Sequence, residues 1–143
     1  MIRKASARWT GDLKTGKGQL TTESGTLKDT PFSFHTRFED GNGTNPEELL
    51  GAALAGCFSM ALNNNMKMAG HNVEEVVADA KVTMEKVEDK QTITTVHLDV
   101  RSRVPGIDQN TYNEFVQKTH EGCIIRRALT AKVIVDAKLL QEA

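Results

Sequence analysis

The sequence predicts an α+β fold with a largely antiparallel sheet. Stretches of alternating hydrophobicity cluster before and after one long apolar helical segment, instead of alternating with helices one by one. Two long stretches, residues 76–87 and 92–104, are separated only by a short charged turn at Glu88-Asp89-Lys90, which predicts an antiparallel hairpin. The chain has 143 residues, enough for one domain with a real core. No repeat, low-complexity tract or interdomain linker interrupts it, so a single domain over 1–143 is expected.

Residues 2–10 place Ala5, Ala7 and Trp9 on one side and Ser6 and Arg8 on the other, as a strand does. Gly11-Asp12 reads as a turn. Residues 19–23 form a second strand, and Ser24-Gly25 a tight turn back into Thr26-Leu27. Residues 31–38 again alternate, with Phe32, Phe34, Thr36 and Phe38 against Ser33, His35 and Arg37, and a polar loop follows at 39–44. A helix is expected over 45–69. Asn45 caps it, Pro46 fits the first position, where an N–H would be unpaired anyway, and Glu47 and Glu48 suit the positive end of its dipole. Thr44 with Glu47 spells an alternative capping box that would shift the start by one residue. Residues 49–62 carry no charge and no polar face, which predicts burial on all sides. The run is too short to span a membrane, and Gly51, Ala52, Ala53, Ala55 and Gly56 favour close backbone packing. Gly70 sits where a helix stop needs it.

The hairpin then places Ala78, Ala80, Val82 and Met84, and Val96, Leu98 and Val100, inward, with His97, Asp99 and Arg101 outward. Pro105-Gly106 ends it. Asp108 caps a helix with Tyr112, Phe115, Val116 and Thr119 at helical spacing. Gly122 closes that helix, Cys123 follows, and residues 124–129 form a short further helix. Residues 131–138, with Val133 and Val135 inward, make the last strand.

Composition narrows the function. Formal net charge is −1, and no segment concentrates lysine and arginine, so nothing suggests nucleic-acid binding. No apolar leader opens the sequence and no membrane partner is expected. Two cysteines do not make a disulfide framework in a chain this long, and a reducing cytoplasm is the expected compartment. Gly16-Lys17-Gly18 lacks the remaining glycines and the strand-to-helix context of a phosphate loop. His35, His71, His97 and His120 are scattered and the cysteines isolated, so neither a metal nor a cofactor is expected.

The two thiols remain as candidate chemistry. Cysteine in an Ala/Leu-rich helix is usually core, and burial without a nearby cation raises a thiol's pKa. Cys57 therefore needs a cation from elsewhere, and Arg37 can supply one. Cys123 has the stronger local case, because it lies between a helix stop and a helix start, with Arg126 and Arg127 three and four residues on. The pair can be a peroxidatic and resolving couple, or two inert residues.

Several segments, taken together, resemble the OsmC/Ohr family of cysteine-based peroxidases. They include Trp9-Thr10-Gly11-Asp12, Thr36-Arg37-Phe38-Glu39, Asn45-Pro46-Glu47-Glu48-Leu49, Cys57-Phe58-Ser59-Met60-Ala61-Leu62, Val104-Pro105-Gly106-Ile107-Asp108 and Gly122-Cys123, in the family's order and over nearly the whole chain. Thr36-Arg37-Phe38-Glu39 points to the OsmC branch. The resemblance implies an OsmC-like fold in an intertwined homodimer. It implies that Cys57 attacks the peroxide and becomes a sulfenic acid, and that Cys123 then closes a disulfide with it. The substrate would be an organic hydroperoxide, or less readily hydrogen peroxide, and a lipoyl-type dithiol would be the reductant. Arg37 would stabilise the thiolate, and Glu47 would hold Arg37. The resemblance reverses the local ranking of the two cysteines. The chain departs from the family at Ile124-Ile125-Arg126, where Pro-Val-Ser or similar is expected, and so lacks a rigid helix start.

Glu47 and Cys57 lie ten residues apart on one expected helix, roughly 15 Å along its axis. A site shared across the dimer, with Arg37 and Glu47 from one subunit and Cys57 from the other, accommodates that separation. Two other readings stand beside the peroxidase. One is a non-catalytic stress protein of the same fold that binds an apolar ligand; the other is a cysteine-dependent hydrolase.

Overall fold

The computed structural model describes residues 1–38 and 43–140, so most of the loop expected at 39–44 lies outside the described residues. The chain divides into two compact units, Met1–Leu49 and Leu50–Ala143. The first holds an antiparallel sheet in the order β1 (Ala5–Thr10), β2 (Lys17–Thr22), β3 (Thr30–Phe32), followed by the short helix α1 (Phe34–Phe38). Gly18 in β2 faces Phe32 in β3 and Trp9 in β1. A Cβ there would come within 2.5 Å of the Phe32 ring and 2.7 Å of Trp9, so glycine is what lets the two rings sit 5.5 Å apart over the strand. Every residue of β1 is nonetheless exposed.

Residues 31–38 do not continue as one strand. β3 stops at Phe32 and the chain turns into α1. The cause is local. The Ser33 amide donates to Thr36 Oγ1 at 2.7 Å, and the Thr36 amide donates to Ser33 Oγ at 3.3 Å. This reciprocal pair caps the helix in the manner of a capping box. The phenylalanines serve a helix equally well, since Phe34 and Phe38 stack at 5.1 Å across one turn.

Helix α2 (Pro46–Met68) starts at the expected residue. Asn45 Oδ1 accepts the Glu48 amide at 2.7 Å, while Thr44 bonds the Glu48 carboxylate at 2.8 Å, so the one-residue slip does not occur. At the far end His71 N–H donates to Met66 O and Gly70 N–H to Lys67 O, with Gly70 at φ +92°, a Schellman stop. Within the chain the helix is not buried on all sides. Gly51, Leu54, Phe58, Leu62 and Met66 are covered, whereas Ala52, Ala53, Gly56 and Met60 are exposed. Residues 49–62 are apolar all round, but the chain itself covers only the stripe of Gly51, Leu54, Phe58 and Leu62, which Met66 continues.

The second unit holds the sheet β4 (Glu75–Val87), β5 (Lys90–Arg103) and β6 (Lys132–Leu139), in that order. β4 and β5 are antiparallel. Glu88 and Asp89 connect them with φ of +52° and +62°, the pairing a two-residue hairpin turn of matching twist requires. β5 and β6 are parallel, joined by α3 (Gln109–Gly122) and α4 (Ile124–Ala128), so the sheets are mostly antiparallel with one parallel pair. Asp108 caps α3 by accepting the Thr111 amide at 2.8 Å. Val96, Leu98 and Val100 of β5 and Tyr112 of α3 are fully buried with Leu54, Phe58, Leu62 and Met66 of α2. Gly51 allows α2 to lie close on β4, since a Cβ there would meet Val82 at 3.1 Å. Among the described residues no helix is long and apolar enough to cross a membrane.

Two substitutions test this core by urea denaturation. Leu54→Ala empties a fully buried site and is expected to cost about 2–5 kcal/mol. Tyr112→Phe strands the buried Ser102 hydroxyl, which pairs with Tyr112 Oη at 2.8 Å, and is expected to cost about 1–3 kcal/mol. A loss below about 0.5 kcal/mol in either variant would contradict the packing described.

Candidate active site

Cys57 lies in the middle of α2, one residue before the buried Phe58, so its side chain stands at the edge of the covered stripe and is half-exposed. Cys123 sits at the break between α3 and α4. Its amide closes α3 on Thr119 O at 2.9 Å, and its carbonyl accepts Arg127 N–H at 3.0 Å to open α4. The residue is extended (φ −62°, ψ 122°), and the side chain is 1% exposed. This kink turns the thiol inward, where Cys123 Sγ donates to Cys57 Sγ at 3.3 Å. Both cysteines are free thiols.

The two thiols differ in acidity. Burial pushes Cys57 up, but the amide N–H of Ile125, the Cys123 thiol and the amide N–H of Ile124 all donate to its sulfur. Together they outweigh burial, so its pKa lies below the ordinary thiol value. Burial raises Cys123. The Arg126 and Ile125 amides pull it down, but its bond to Cys57 and the repulsion from that sulfur push it up, and its pKa lies above the ordinary value. Cys57 is therefore the more acidic thiol of the pair and Cys123 its hydrogen-bond donor. The absence of a proline after Cys123 has a direct effect here, because Ile124 carries an N–H that proline would lack. The short helix also forms without the proline.

Arg37 and Glu47 meet in the first unit. Arg37 Nε donates to Glu47 Oε1 at 2.6 Å, with the carboxylate side chain 12% exposed and the arginine 46%. Arg37 also stacks over Phe38, 5.4 Å from the ring centroid. Glu47 Oε2 is buried without a hydrogen-bond partner among the described residues. The pair is thus one bond short of the bidentate fork. The structure brings together Cys57 with Cys123, and Arg37 with Glu47. The groups that sequence reasoning missed are the Ile124 and Ile125 amides. Their signal was the position of Cys123 at a helix start, which points amides at whatever thiol is nearest. Among the described residues no group of three or more potential metal ligands gathers.

Two thiols in contact, one half-exposed with its pKa lowered and the other buried with its pKa raised, stand side by side on an α+β scaffold. A family model described as OsmC-like protein matches residues 39–138. The chain is 44% identical over 137 residues to peroxiredoxin OsmC of Escherichia coli K12, covering 96% of each chain. It is 30% identical over 104 residues to an organic hydroperoxide resistance protein of Xanthomonas axonopodis pv. citri, covering 69% of this chain and 68% of that one. The chain belongs to the OsmC-like family. Solved structures share the fold. An OsmC-like protein of unknown function from Vibrio cholerae superposes with a TM-score of 0.76 at 18% identity, covering 95% of this chain and 99% of that one. OhrB of Bacillus subtilis gives a TM-score of 0.70 at 24% identity, covering 98% of each.

Ile124→Pro tests the amide contribution. Proline is well suited to a first helical position, so α4 is retained while one donor to Cys57 is lost. The pH midpoint of Cys57 alkylation by iodoacetamide is expected to move up in the variant. In the wild type Cys57 is expected to be alkylated at lower pH than Cys123. An unchanged midpoint would show that the Ile124 amide does not stabilise the thiolate.

Proposed function

We propose that this chain is a thiol peroxidase that reduces organic hydroperoxides, and hydrogen peroxide less readily, as a single domain over 1–143. A peroxidase-type role is what membership and 44% identity to a peroxiredoxin along nearly the whole chain support. The observation that carries the chemistry is the 3.3 Å contact between the acidified Cys57 and the buried Cys123.

The Cys57 thiolate attacks one peroxide oxygen. The S–O bond forms as the O–O bond breaks, and the alkoxide leaves as an alcohol after taking up a proton. Cys57 is then a sulfenic acid. Cys123 attacks that sulfur, water departs, and a Cys57–Cys123 disulfide remains. Sulfur atoms already in contact make this second step a short movement. A lipoyl-type dithiol returns both thiols by two exchanges. Arg37 is assigned to stabilising the thiolate and the leaving oxygen, since a guanidinium stays charged and offers several donors at fixed angles. Glu47 is its positioning residue, and their 2.6 Å ion pair supports that assignment.

The same reading makes the protein a cytoplasmic, intertwined homodimer in which Arg37 and Glu47 of one subunit complete the site around Cys57 of the other. Two surfaces support it. The stripe Ala52, Ala53, Gly56 and Met60 of α2 is apolar and uncovered, with Met60 71% exposed. The β1–β2–β3 sheet leaves the whole of β1 exposed, including Trp9. Small residues along a helix let a second backbone approach closely, which suits burial at a subunit interface.

Peroxide consumption with dithiothreitol as reductant tests the reading. Wild type is expected to turn over cumene hydroperoxide faster than hydrogen peroxide. Cys57→Ser is expected to lose on the order of 10³-fold or more in rate. Cys123→Ser is expected to stop after one turnover, and Arg37→Ala to slow by about 10²-fold. A wild type that consumes no peroxide would favour the non-catalytic reading; ester hydrolysis in its place would favour the hydrolase.

A further inference from the structure

The last turn of α3 is tied to α2 by a side-chain bond that the chemistry above does not use. Asn65 Nδ2 donates to Thr119 Oγ1 at 3.0 Å. The Thr119 hydroxyl gives its own proton to Phe115 O at 2.7 Å, so it meets α2 purely as an acceptor. Thr119 is buried. Its carbonyl accepts the Cys123 amide at 2.9 Å, the bond that closes α3 at the residue carrying the second thiol. Asn65 is thus linked to the backbone of Cys123 through a single intervening residue. Asn63, Asn64 and Asn65 are three amides in a row, yet among the described residues only Asn65 reaches α3.

Apolar packing does not by itself fix where the end of α3 lies. Leu62 and Met66, which bracket Asn65 on α2, are fully buried in one core with Tyr112 of α3. Contacts of that kind are non-directional, whereas a hydrogen bond demands a distance and an angle. Among the described residues Asn65–Thr119 is the one side-chain hydrogen bond that joins α2 to α3. It lies four residues before Cys123, about 6 Å along α3, and eight residues beyond Cys57, about 12 Å along α2. The thiol pair and this bond therefore pin the α3–α4 segment to α2 at two points. Only the second is independent of the redox state. Once Cys57 carries an oxygen, the thiol–thiol hydrogen bond is gone, and Cys123 has to be kept in reach by groups other than the two sulfurs.

We propose that Asn65 is a positioning residue for disulfide closure: through Thr119 it holds the end of α3 so that the Cys123 sulfur stays on Cys57 while Cys57 is oxidised. The sulfenic acid step rests on the peroxidase reading; the positioning applies to any two-electron oxidation of the pair. In closure the Cys123 sulfur attacks the Cys57 sulfur and the S–S bond forms as the S–O bond breaks. The leaving hydroxide takes the Cys123 proton and departs as water. Disulfide geometry is specific, so a helix end free to slide would hold the sulfurs in a closing arrangement for only part of the time. Without the Asn65 bond, forming the disulfide has to order that helix end as well, and both the rate and the equilibrium of closure fall.

Two substitutions remove the bond from opposite sides. Asn65→Leu deletes the donor at a half-buried position and leaves the Thr119 hydroxyl bonded to Phe115, and Thr119→Val deletes the acceptor while keeping the shape. Thr119→Ser keeps the hydroxyl and is the conservative control. The first measurement needs no peroxide: each protein is equilibrated with glutathione, where dithiol and one oxidised glutathione give disulfide and two reduced glutathiones. Asn65→Leu and Thr119→Val are each expected to lower that equilibrium constant on the order of three- to tenfold. The double variant is expected to lose no more than either alone, and Thr119→Ser to stay close to wild type. A merely structural bond would stabilise dithiol and disulfide forms alike and leave the constant where it was. An unchanged constant in Asn65→Leu, or additive losses in the double variant, would overturn the proposal. If Thr119→Val does not fold, Asn65→Leu and Asn65→Ser decide it on the same criterion. The second measurement uses one equivalent of cumene hydroperoxide with dimedone as trap. The Cys57 sulfenic acid is expected to persist on the order of three- to tenfold longer in Asn65→Leu than in wild type, and an equal lifetime would overturn the proposal. A wild type that forms no sulfenic acid would remove the peroxidase reading alone, with the glutathione constants still deciding the role of Asn65.

Discussion

Everything in the second unit converges on one sulfur–sulfur hydrogen bond. For Cys123 Sγ to reach Cys57 Sγ, α2 must present one particular face to the sheet, and the α3–α4 junction must bend at one particular residue. The first condition is met by Leu54, Phe58, Leu62 and Met66, which lock the helix rotation, and by Gly51, which sets how closely it lies on β4. The second is met by the extended backbone at Cys123, which ends one helix and begins another without an intervening loop. Rotating α2 by a single residue would turn the Cys57 side chain by about 100° and break the contact.

The electrostatics depend on that geometry. A thiol at the edge of an apolar core is the wrong place for a negative charge, and burial does push Cys57 upward. Amides exposed by the helix break reverse the balance, so an uncharged stretch of helix can hold an acidic thiol with help from backbone dipoles of a segment far away in sequence. Burial prevails at Cys123, whose pKa is raised, because there the bond to Cys57 and the repulsion from its sulfur push in the same direction. Two residues of one type thereby acquire different acidities from their surroundings alone.

Much of this was legible in the sequence where the deciding interaction is local. Asn45-Pro46, Gly70, Glu88-Asp89 and Asp108 each specify a helix end or turn through groups a few residues apart, and each falls where expected. Residues 31–38 misled because the phenylalanines satisfy both a period of two and an i, i+4 pairing, so the Ser33–Thr36 hydrogen bonds decided the matter. The apolar character of α2 was evident, but hydrophobicity does not say which stripe its own chain covers. Least legible was the site itself. Local reasoning ranked Cys123 above Cys57, since the amides that acidify Cys57 come from residues more than sixty positions away. Family resemblance, not periodicity, reversed that ranking. The stretch 39–42 between Arg37 and Glu47 lies outside the described residues.

The 66-residue separation of the two thiols carries a thermodynamic consequence. A bond between them closes most of the second unit into a ring, and in the chain-entropy picture a ring of that size removes about 4 kcal/mol of freedom from the unfolded chain. The oxidised and reduced forms would then differ in resistance to denaturant, and on the peroxidase reading proposed above each turnover would tighten and relax the whole unit, so that the stability of the fold would track the redox state of the pair. Identical unfolding midpoints for the two redox forms would show that the native state spends that gain as strain.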